Sequence, residues 1–221
     1  MEMNEALYTT RTMRRVKPDP IPDDVIARII DAAIRAPSGG NSQRWRFLLV
    51  TDPATKSKIQ QLYRVGLTEL NRTHYAATMD LIDNGDPNDP DVMQATKIHK
   101  SSTWLADNLA SVPLLMFAFG KPNGESSIYP AMWSVQLAAR AEGIGSALTT
   151  LLFKYYRPQT LEILGVPDDE GWEPFALLSM GYPTGRWDVA KRQPAHEVTF
   201  QERWGQPVNW TVPTPLFSYD T

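Results

Sequence analysis

Hydrophobic and polar positions along the chain follow two patterns, a helical spacing and short unbroken apolar runs. From Asp23 to Ala36 apolar residues recur every three or four positions, behind Pro22 and two first-turn aspartates, which predicts an amphipathic helix. Uninterrupted apolar runs indicate buried strands. Further helices are predicted for Asn4 to about Arg11, Pro53 to about Leu70, Trp104–Leu109, Ser127–Glu142 with Pro130 in its first turn, and Pro158–Leu164. Strands are predicted for Arg46–Thr51, Val112–Phe119 and Phe175–Met180.

Three segments follow neither pattern cleanly. Residues 71–100 contain an acidic, turn-rich stretch and predict a mobile helical excursion. Residues 143–150 predict a turn into a short extended segment. After Gly185 the periodicity ends, although Trp187, Phe200, Trp204, Trp210, Phe217 and Tyr219 follow among many prolines. So many aromatic residues favour an arm, about 195–221, that packs on another surface such as a partner subunit.

Composition narrows the classes of protein that are possible. The 221 residues include no cysteine, which excludes disulfide scaffolds, thiolate catalysis and cysteine metal sites. Three scattered histidines predict no metal site. The longest apolar run is far shorter than the ~20 residues that span a bilayer, and the amino terminus shows no secretory signal pattern. With a net charge of −3, we expect one cytoplasmic domain over residues 1–221 that binds neither membrane nor nucleic acid.

Two clusters of polar residues are candidates for chemistry. Arg11 and Arg14 lie three positions apart, with a hydroxyl between them, and arginine binds phosphate well. On the cluster alone, a solvated basic face is the more common outcome. The second cluster lies in Ala36–Trp45 (APSGGNSQRW), where Pro37 and two glycines end the helix while Ser38 and Asn41 supply polar groups. The alternative there is a plain helix-stop turn.

Six motifs, in one order and spacing, make the chain resemble the FMN-dependent nitroreductase family from about Thr9 to Pro194. They are Arg11–Arg14, Pro20–Pro22, Ala36–Trp45, Glu142–Gly145, Gly181–Pro183 and Lys191–Arg192. The resemblance implies an α+β fold with a mixed central sheet wrapped by helices. It also implies an intertwined homodimer with FMN at the subunit interface.

The resemblance further assigns cofactor contacts to the first cluster. Arg11 and Arg192 fall where the family binds the FMN phosphate, and Thr12 falls within the same contact motif. Arg14 falls near the ribityl chain and the N1/C2 carbonyl edge, where positive charge stabilises the reduced ring. Thr10 replaces an arginine that is frequent in the family.

The same resemblance places two other segments against the flavin. Pro37, Ser38 and Asn41 would hold the ring or the ribityl chain, although Arg44 replaces the proline usual before Trp45. Residues 148–150, Leu148, Thr149 and Thr150, would line the N5 environment, with Thr150 in the matching position. The alternative is that both threonines are ordinary strand residues.

These assignments imply an FMN-dependent oxidoreductase that passes hydride from NADH or NADPH through flavin N5 to nitroaromatics, quinones or similar acceptors, by a ping-pong mechanism. We expect residues 71–100 and four aromatics to select the acceptor, namely Tyr63, Tyr75, Trp104 and Tyr129. A reductive dehalogenase or dehydrogenase of the same fold is one alternative, because the threonine-rich segment leaves one-electron chemistry open. A flavin-binding protein without turnover is another, and a nucleic-acid module is the remote third.

Overall fold

The computed structural model describes residues 1–212, 215 and 217. The chain forms two compact units, one joining Met1–Arg11 with Arg186–Thr221 and the other comprising Thr12–Gly185. A single domain over residues 1–221 therefore stays a prediction.

A four-stranded sheet forms the centre of the Thr12–Gly185 unit. Its strands are β1 (Trp45–Val50), β2 (Leu114–Gly120), β3 (Gly145–Thr149) and β4 (Glu173–Gly181), in the order β1-β2-β4-β3. Neighbouring strands are antiparallel throughout. Among the described residues, parallel pairing is confined to an isolated bridge between Thr12 and Ser146. The expected α+β fold is confirmed, and its mixed pairing amounts to that one bridge.

Helices cover both faces of this sheet. On one face lie α2 (Asp23–Ala33) and α6 (Glu125–Ala141), and on the other α3 (Pro53–Thr73), α5 (Pro90–Asn108) and α7 (Leu151–Tyr155). Between α3 and α5 comes α4 (Ala76–Asn84), and α8 (Arg157–Leu164) follows α7. Successive strand residues point to opposite faces, so Met116 of β2 packs under α6 whereas Phe117 packs under α3. Burial on both faces explains why β2 and β4 are continuous apolar runs.

Several predicted element boundaries need correction, among them the helix predicted for Trp104–Leu109, which begins at Pro90. Helix α2 ends at Ala33 rather than Ala36, because residues 34–36 turn away from the helix axis. Helix α6 begins at Glu125, so Pro130 lies in its second turn instead of its first. Helix α7 was not predicted at all, since one short turn carries no periodic signal.

The smaller unit contains α1 (Met3–Thr9), a 3-10 turn at Ala195–Glu197 and a bridge between Phe200 and Pro207. Its two chain segments are joined by hydrogen bonds. Arg11 Nη2 donates to the Arg186 carbonyl at 2.7 Å, and the Ala190 N–H donates to the Tyr8 carbonyl at 3.3 Å. Within the described part of the carboxyl-terminal segment, Trp204 is 92% exposed. Tyr219, one of the aromatic residues of the predicted arm, lies outside the described residues. No described helix is both long and apolar enough to cross a membrane.

Candidate functional site

The segment that carries Arg14 is bound to the sheet by backbone hydrogen bonds. The Met13 N–H donates to the Ser146 carbonyl at 2.9 Å, and the Lys17 N–H donates to the Tyr182 carbonyl at 2.8 Å. These bonds anchor the segment beside β3 and the end of β4. Arg14 is therefore held close to the carboxyl end of β3.

Two glycines make this close approach possible. A Cβ on Gly145 would lie 2.8 Å from the Met13 Cβ, and a Cβ on Gly181 would lie 2.9 Å from the Val16 Cβ. Real Cβ atoms do not approach so closely, because van der Waals repulsion rises steeply at that distance. Glycine at both positions lets the amino-terminal segment pack directly on the sheet.

A cleft of about 750 Å³ opens where this segment meets β3. Its wall includes Arg14 together with Leu148, Thr149 and Thr150, so four of the residues predicted for a cofactor site come together here. The remaining wall comes from α3, α4, α5 and α7. It combines apolar and polar groups, among them Tyr63, Leu67, Leu70, Asn71, His74, Tyr75, Met79, Ile82, Asp91, Gln94, Ile98, His99, Ser102 and Lys154.

Tyr63 and Thr149 meet at the inner part of the cleft wall. The Tyr63 hydroxyl donates to Thr149 Oγ1 at 3.4 Å, and the Leu151 N–H donates to the same oxygen at 3.3 Å. Burial raises the pKa of Tyr63, while the charge of Arg14 acts in the opposite direction. The phenol thus stays protonated in the neutral range and is available as a donor.

The polar corner at residues 36–43 has a well-defined local geometry. Ser38 organises it, because its Oγ accepts the Gln43 N–H at 2.9 Å and its carbonyl accepts the Asn41 N–H at 2.8 Å. Asn41 has a φ of 50°, a left-handed conformation that asparagine tolerates. Pro37, Ser38 and Asn41 do not belong to the cleft wall. The structure therefore does not bring this corner together with Arg14 in one cleft.

The other predicted cofactor contacts are not part of the cleft wall. Thr12 is exposed and forms the bridge to Ser146. Arg11 and Arg192 belong to the smaller unit, where Arg192 Nη1 donates to the Lys191 carbonyl at 2.8 Å. Arg44 is exposed at the start of β1, and nothing in the described structure explains its replacement of proline.

The aromatic residues expected to select an acceptor divide into two pairs. Tyr63 and Tyr75 line the cleft, whereas Trp104 lies under the Arg15 guanidinium at 5.9 Å and Tyr129 packs edge-on against Phe175. Acceptor selection by Trp104 and Tyr129 stays a prediction, since neither ring belongs to this cleft wall.

Sequence reasoning missed Lys154, because α7 was not predicted. Asp91, His74 and His99 lie within residues 71–100, the segment expected to select the acceptor, but none of the three was singled out for the cleft wall. Asp91, His99 and Lys154 are on helices that also contribute apolar residues to the wall, whereas His74 lies in the turn between α3 and α4. In the part of the chain that the structure describes, no three acidic or histidine side chains form a potential metal site.

The fold is that of an α+β protein with a cleft at the sheet edge, and comparison with known proteins identifies its family. The chain belongs to the nitroreductase family, whose model matches residues 7–182. Iodotyrosine deiodinase 1 from Rattus norvegicus is 27% identical over 197 residues, which cover 83% of this chain and 62% of the deiodinase. This chain thus matches less than two thirds of that relative's length.

Two further relatives cover most of both chains. A putative NADH dehydrogenase/NAD(P)H nitroreductase from Archaeoglobus fulgidus is 28% identical over 190 residues, covering 85% of this chain and 88% of the other. The crystal structure of an iodotyrosine deiodinase bound to FMN and 3-iodo-L-tyrosine superposes with a TM-score of 0.65 at 23% identity. That match covers 92% of this chain and 99% of the deiodinase chain, and it establishes the shared fold.

Proposed function

We propose that this protein is an FMN-dependent oxidoreductase that passes hydride from NADH or NADPH to an electron-poor aromatic acceptor, such as a nitroaromatic or a quinone, by a ping-pong mechanism. The observation that carries the proposal is the cleft that brings Arg14 together with Leu148, Thr149 and Thr150. Two of the named relatives support it, one as an NAD(P)H nitroreductase and one as an FMN-bound protein of the same fold.

The chemistry of the cleft wall fits a flavin ring. Arg14 supplies a positive charge, while Thr149 and Thr150 supply hydroxyl groups. Leucine, isoleucine and methionine side chains supply apolar surface for a flat aromatic system, and the volume lies within the usual range for small-molecule sites. When bound, FMN would supply hydride acceptance and electron transfer.

Each cofactor contact implied by the resemblance is proposed here for a separate part of the FMN molecule. Arg11 and Arg192 bind the phosphate, with Thr12 beside them, and Arg14 places charge at the N1/C2 carbonyl edge. Thr150 and its two preceding residues lie at the N5 edge. The chain's own contribution is to orient the ring, to fix charge beside it and to exclude water from one face.

We propose that Pro37, Ser38 and Asn41 reach the cofactor of a second copy of the chain, in a homodimer. Their absence from the cleft wall supports this assignment, because the resemblance requires them at the flavin and one cleft alone does not include them. Exposed aromatic surface also supports a subunit interface. Tyr129 and Trp133 lie one turn apart on α6 and are 41% and 40% exposed.

The direct test is reconstitution with FMN followed by rapid mixing with NADH or NADPH under anaerobic conditions. Bleaching of the flavin absorbance by either donor, and its recovery on adding a nitroaromatic or a quinone, is the expected result. Protein that stays colourless in excess FMN contradicts the proposal. Bound flavin that neither donor reduces would favour the non-catalytic alternative.

Reductive dehalogenation is the second candidate. Two observations favour it, namely the threonine pair at the cleft and the similarity to iodotyrosine deiodinase 1. The discriminating measurement supplies the reduced protein with iodotyrosine and, in parallel, with a nitroaromatic of similar size. Iodide release faster than loss of the nitro group supports the dehalogenase, and the opposite order supports the nitroreductase.

A further inference from the structure

The Thr149 hydroxyl has an unusual hydrogen-bonding position. Its oxygen accepts two bonds, from the Tyr63 hydroxyl at 3.4 Å and from the Leu151 N–H at 3.3 Å. A hydroxyl oxygen has two lone pairs and one proton. With both lone pairs engaged, its proton is what remains for another partner, and the described residues provide no acceptor for it. Because Thr149 lies in the cleft wall, the open side for that proton is the cleft.

We propose that Tyr63 is a positioning residue, which holds Thr149 so that the threonine hydroxyl acts as a donor to the ligand in the cleft. The identity of that ligand as FMN depends on the proposed function. The hydrogen bonds among Tyr63, Thr149 and Leu151 do not depend on the identity of the ligand, since all three residues belong to this chain. In this arrangement Tyr63 itself does not touch the ligand through its hydroxyl, and its effect passes through Thr149.

Tyr63 is suited to this role by its location. It is only 5% exposed and packs in the core on the α3 side of the sheet, with Ile59 and Leu67 one turn away on either side. A side chain fixed in this way loses little further conformational freedom when it makes a hydrogen bond. Burial also keeps the phenol protonated, and its proton is the one that Thr149 accepts.

The chain offers a matched control for the same pair of residue types. The Tyr155 hydroxyl on α7 lies 3.2 Å from Thr73 Oγ1 on α3, so this second tyrosine–threonine pair also involves α3 but joins it to α7 instead of β3. Neither Tyr155 nor Thr73 lies in the cleft wall. Tyr155→Phe removes a comparable hydroxyl without changing the proposed donor.

The first measurement is the FMN dissociation constant of Tyr63→Phe, Thr149→Val, Thr149→Ser and Tyr155→Phe. We expect Tyr63→Phe and Thr149→Val to weaken FMN binding about threefold to tenfold, the usual range for one hydrogen bond. Thr149→Ser keeps the hydroxyl, so it should bind FMN more tightly than Thr149→Val. Tyr155→Phe spares the cleft, so it is expected within about twofold of the parent. The double variant with Tyr63→Phe and Thr149→Val should have the same FMN dissociation constant as Thr149→Val alone, because both changes remove the same donor. Independent, multiplying effects would overturn the coupling, as would a Tyr63→Phe effect larger than that of Thr149→Val.

The second measurement uses FMN-free protein and therefore separates this inference from the proposed function. Hydrogen exchange of the Leu151 amide reports whether Thr149 still accepts that N–H. We expect faster exchange in Tyr63→Phe and an unchanged rate in Tyr155→Phe. An unchanged Leu151 rate in Tyr63→Phe overturns the positioning role, whatever FMN does. Failure of the parent protein to bind FMN would instead contradict only the proposed function.

Discussion

The Arg11 guanidinium is held in place within the smaller unit, and its surroundings indicate what its removal should do to FMN binding. Its Nη2 donates to the Arg186 carbonyl, while Arg192 lies six positions further along the same segment of the smaller unit. A guanidinium keeps its charge at every accessible pH and can donate several hydrogen bonds. Two such groups on neighbouring segments are well suited to a phosphate dianion.

We therefore expect Arg11→Ala and Arg192→Ala each to weaken FMN binding by about 1.5–3 kcal/mol, the range for a charge-assisted hydrogen bond. Fluorescence titration of FMN measures this loss. Arg203→Ala is the control, since Arg203 is exposed in the same unit and has no proposed contact. If FMN occupancy after dialysis is the same in all three variants and the parent, the phosphate assignment is wrong.

The close packing of the segment that carries Arg14 depends on glycines, which have no side chain. Gly181 is close to both Val16 and Pro113, and an added Cβ would lie 2.9 Å from each. We expect Gly181→Ala to lower the free energy of unfolding by about 1–3 kcal/mol, the usual cost of overpacking. It should also weaken FMN binding, because the segment that moves carries Arg14.

Gly185→Ala is the matched control for this change, since no atom lies within 4 Å of its added Cβ and its φ is not in the positive range. Thermal unfolding and FMN titration of both variants provide the measurements. Equal stability of the two variants would show that the segment is not held by this close contact.

Helix α3, which carries Tyr63, begins with a titratable cap. Asp52 Oδ2 accepts from the Thr55 hydroxyl and from the Thr55 N–H, each at 2.7 Å. These bonds hold the pKa of Asp52 below its usual value. A carboxylate with a lowered folded-state pKa stabilises the fold fully above the unfolded pKa, and this contribution is lost as the pH falls through the folded value.

We expect Asp52→Ala to have a lower melting temperature than the parent at pH 6, and the difference to shrink below about pH 4, near the ordinary aspartate pKa. Asp52→Asn keeps a capping oxygen, so its deficit should be smaller. That deficit should shrink over the same pH range, because the group that titrates is the carboxylate of the parent. Melting temperatures between pH 3 and 6 check the expectation. A deficit of Asp52→Ala that is constant over this range would contradict it.

Some parts of the fold and of the candidate site could be predicted from the sequence and others could not, for physical reasons. The runs that became β2 and β4 were recognisable because both faces of these strands are buried, which makes most positions apolar. The bond between Tyr63 and Thr149 could not be foreseen, since it joins residues 86 positions apart. The wall residues on α7 had no local signal, whereas most of those on α4 and α5 lie within residues 71–100, which were expected to select the acceptor only as a segment. The family motifs identified Arg14 and residues 148–150, and the fold brings these together.

At the scale of the whole molecule, the family resemblance and the cleft of a single copy disagree about where the polar corner acts. The resemblance requires the polar corner with Ser38 and Asn41 at the flavin, yet these residues are absent from the wall of the cleft that includes Arg14. Their conformation is nevertheless specific, with positive φ at Gly40, Asn41 and Gln43. Backbone strain of this kind is commonly retained at functional sites. A second copy that supplies the corner would reconcile these observations.

Subunit complementation tests this arrangement. One chain carries Arg14→Gln, and the other carries Ser38→Ala with Asn41→Gly, the glycine being compatible with the positive φ at that position. Each variant alone should bind FMN weakly in both sites of its homodimer. In a heterodimer isolated with two different affinity tags, one site would combine both defects and the other would combine an intact cleft with an intact corner. We therefore expect about one tightly bound FMN per heterodimer, counted by flavin absorbance. If the cleft and the corner instead served one site within each chain, every site of the heterodimer would carry one defect, and no tight binding would return.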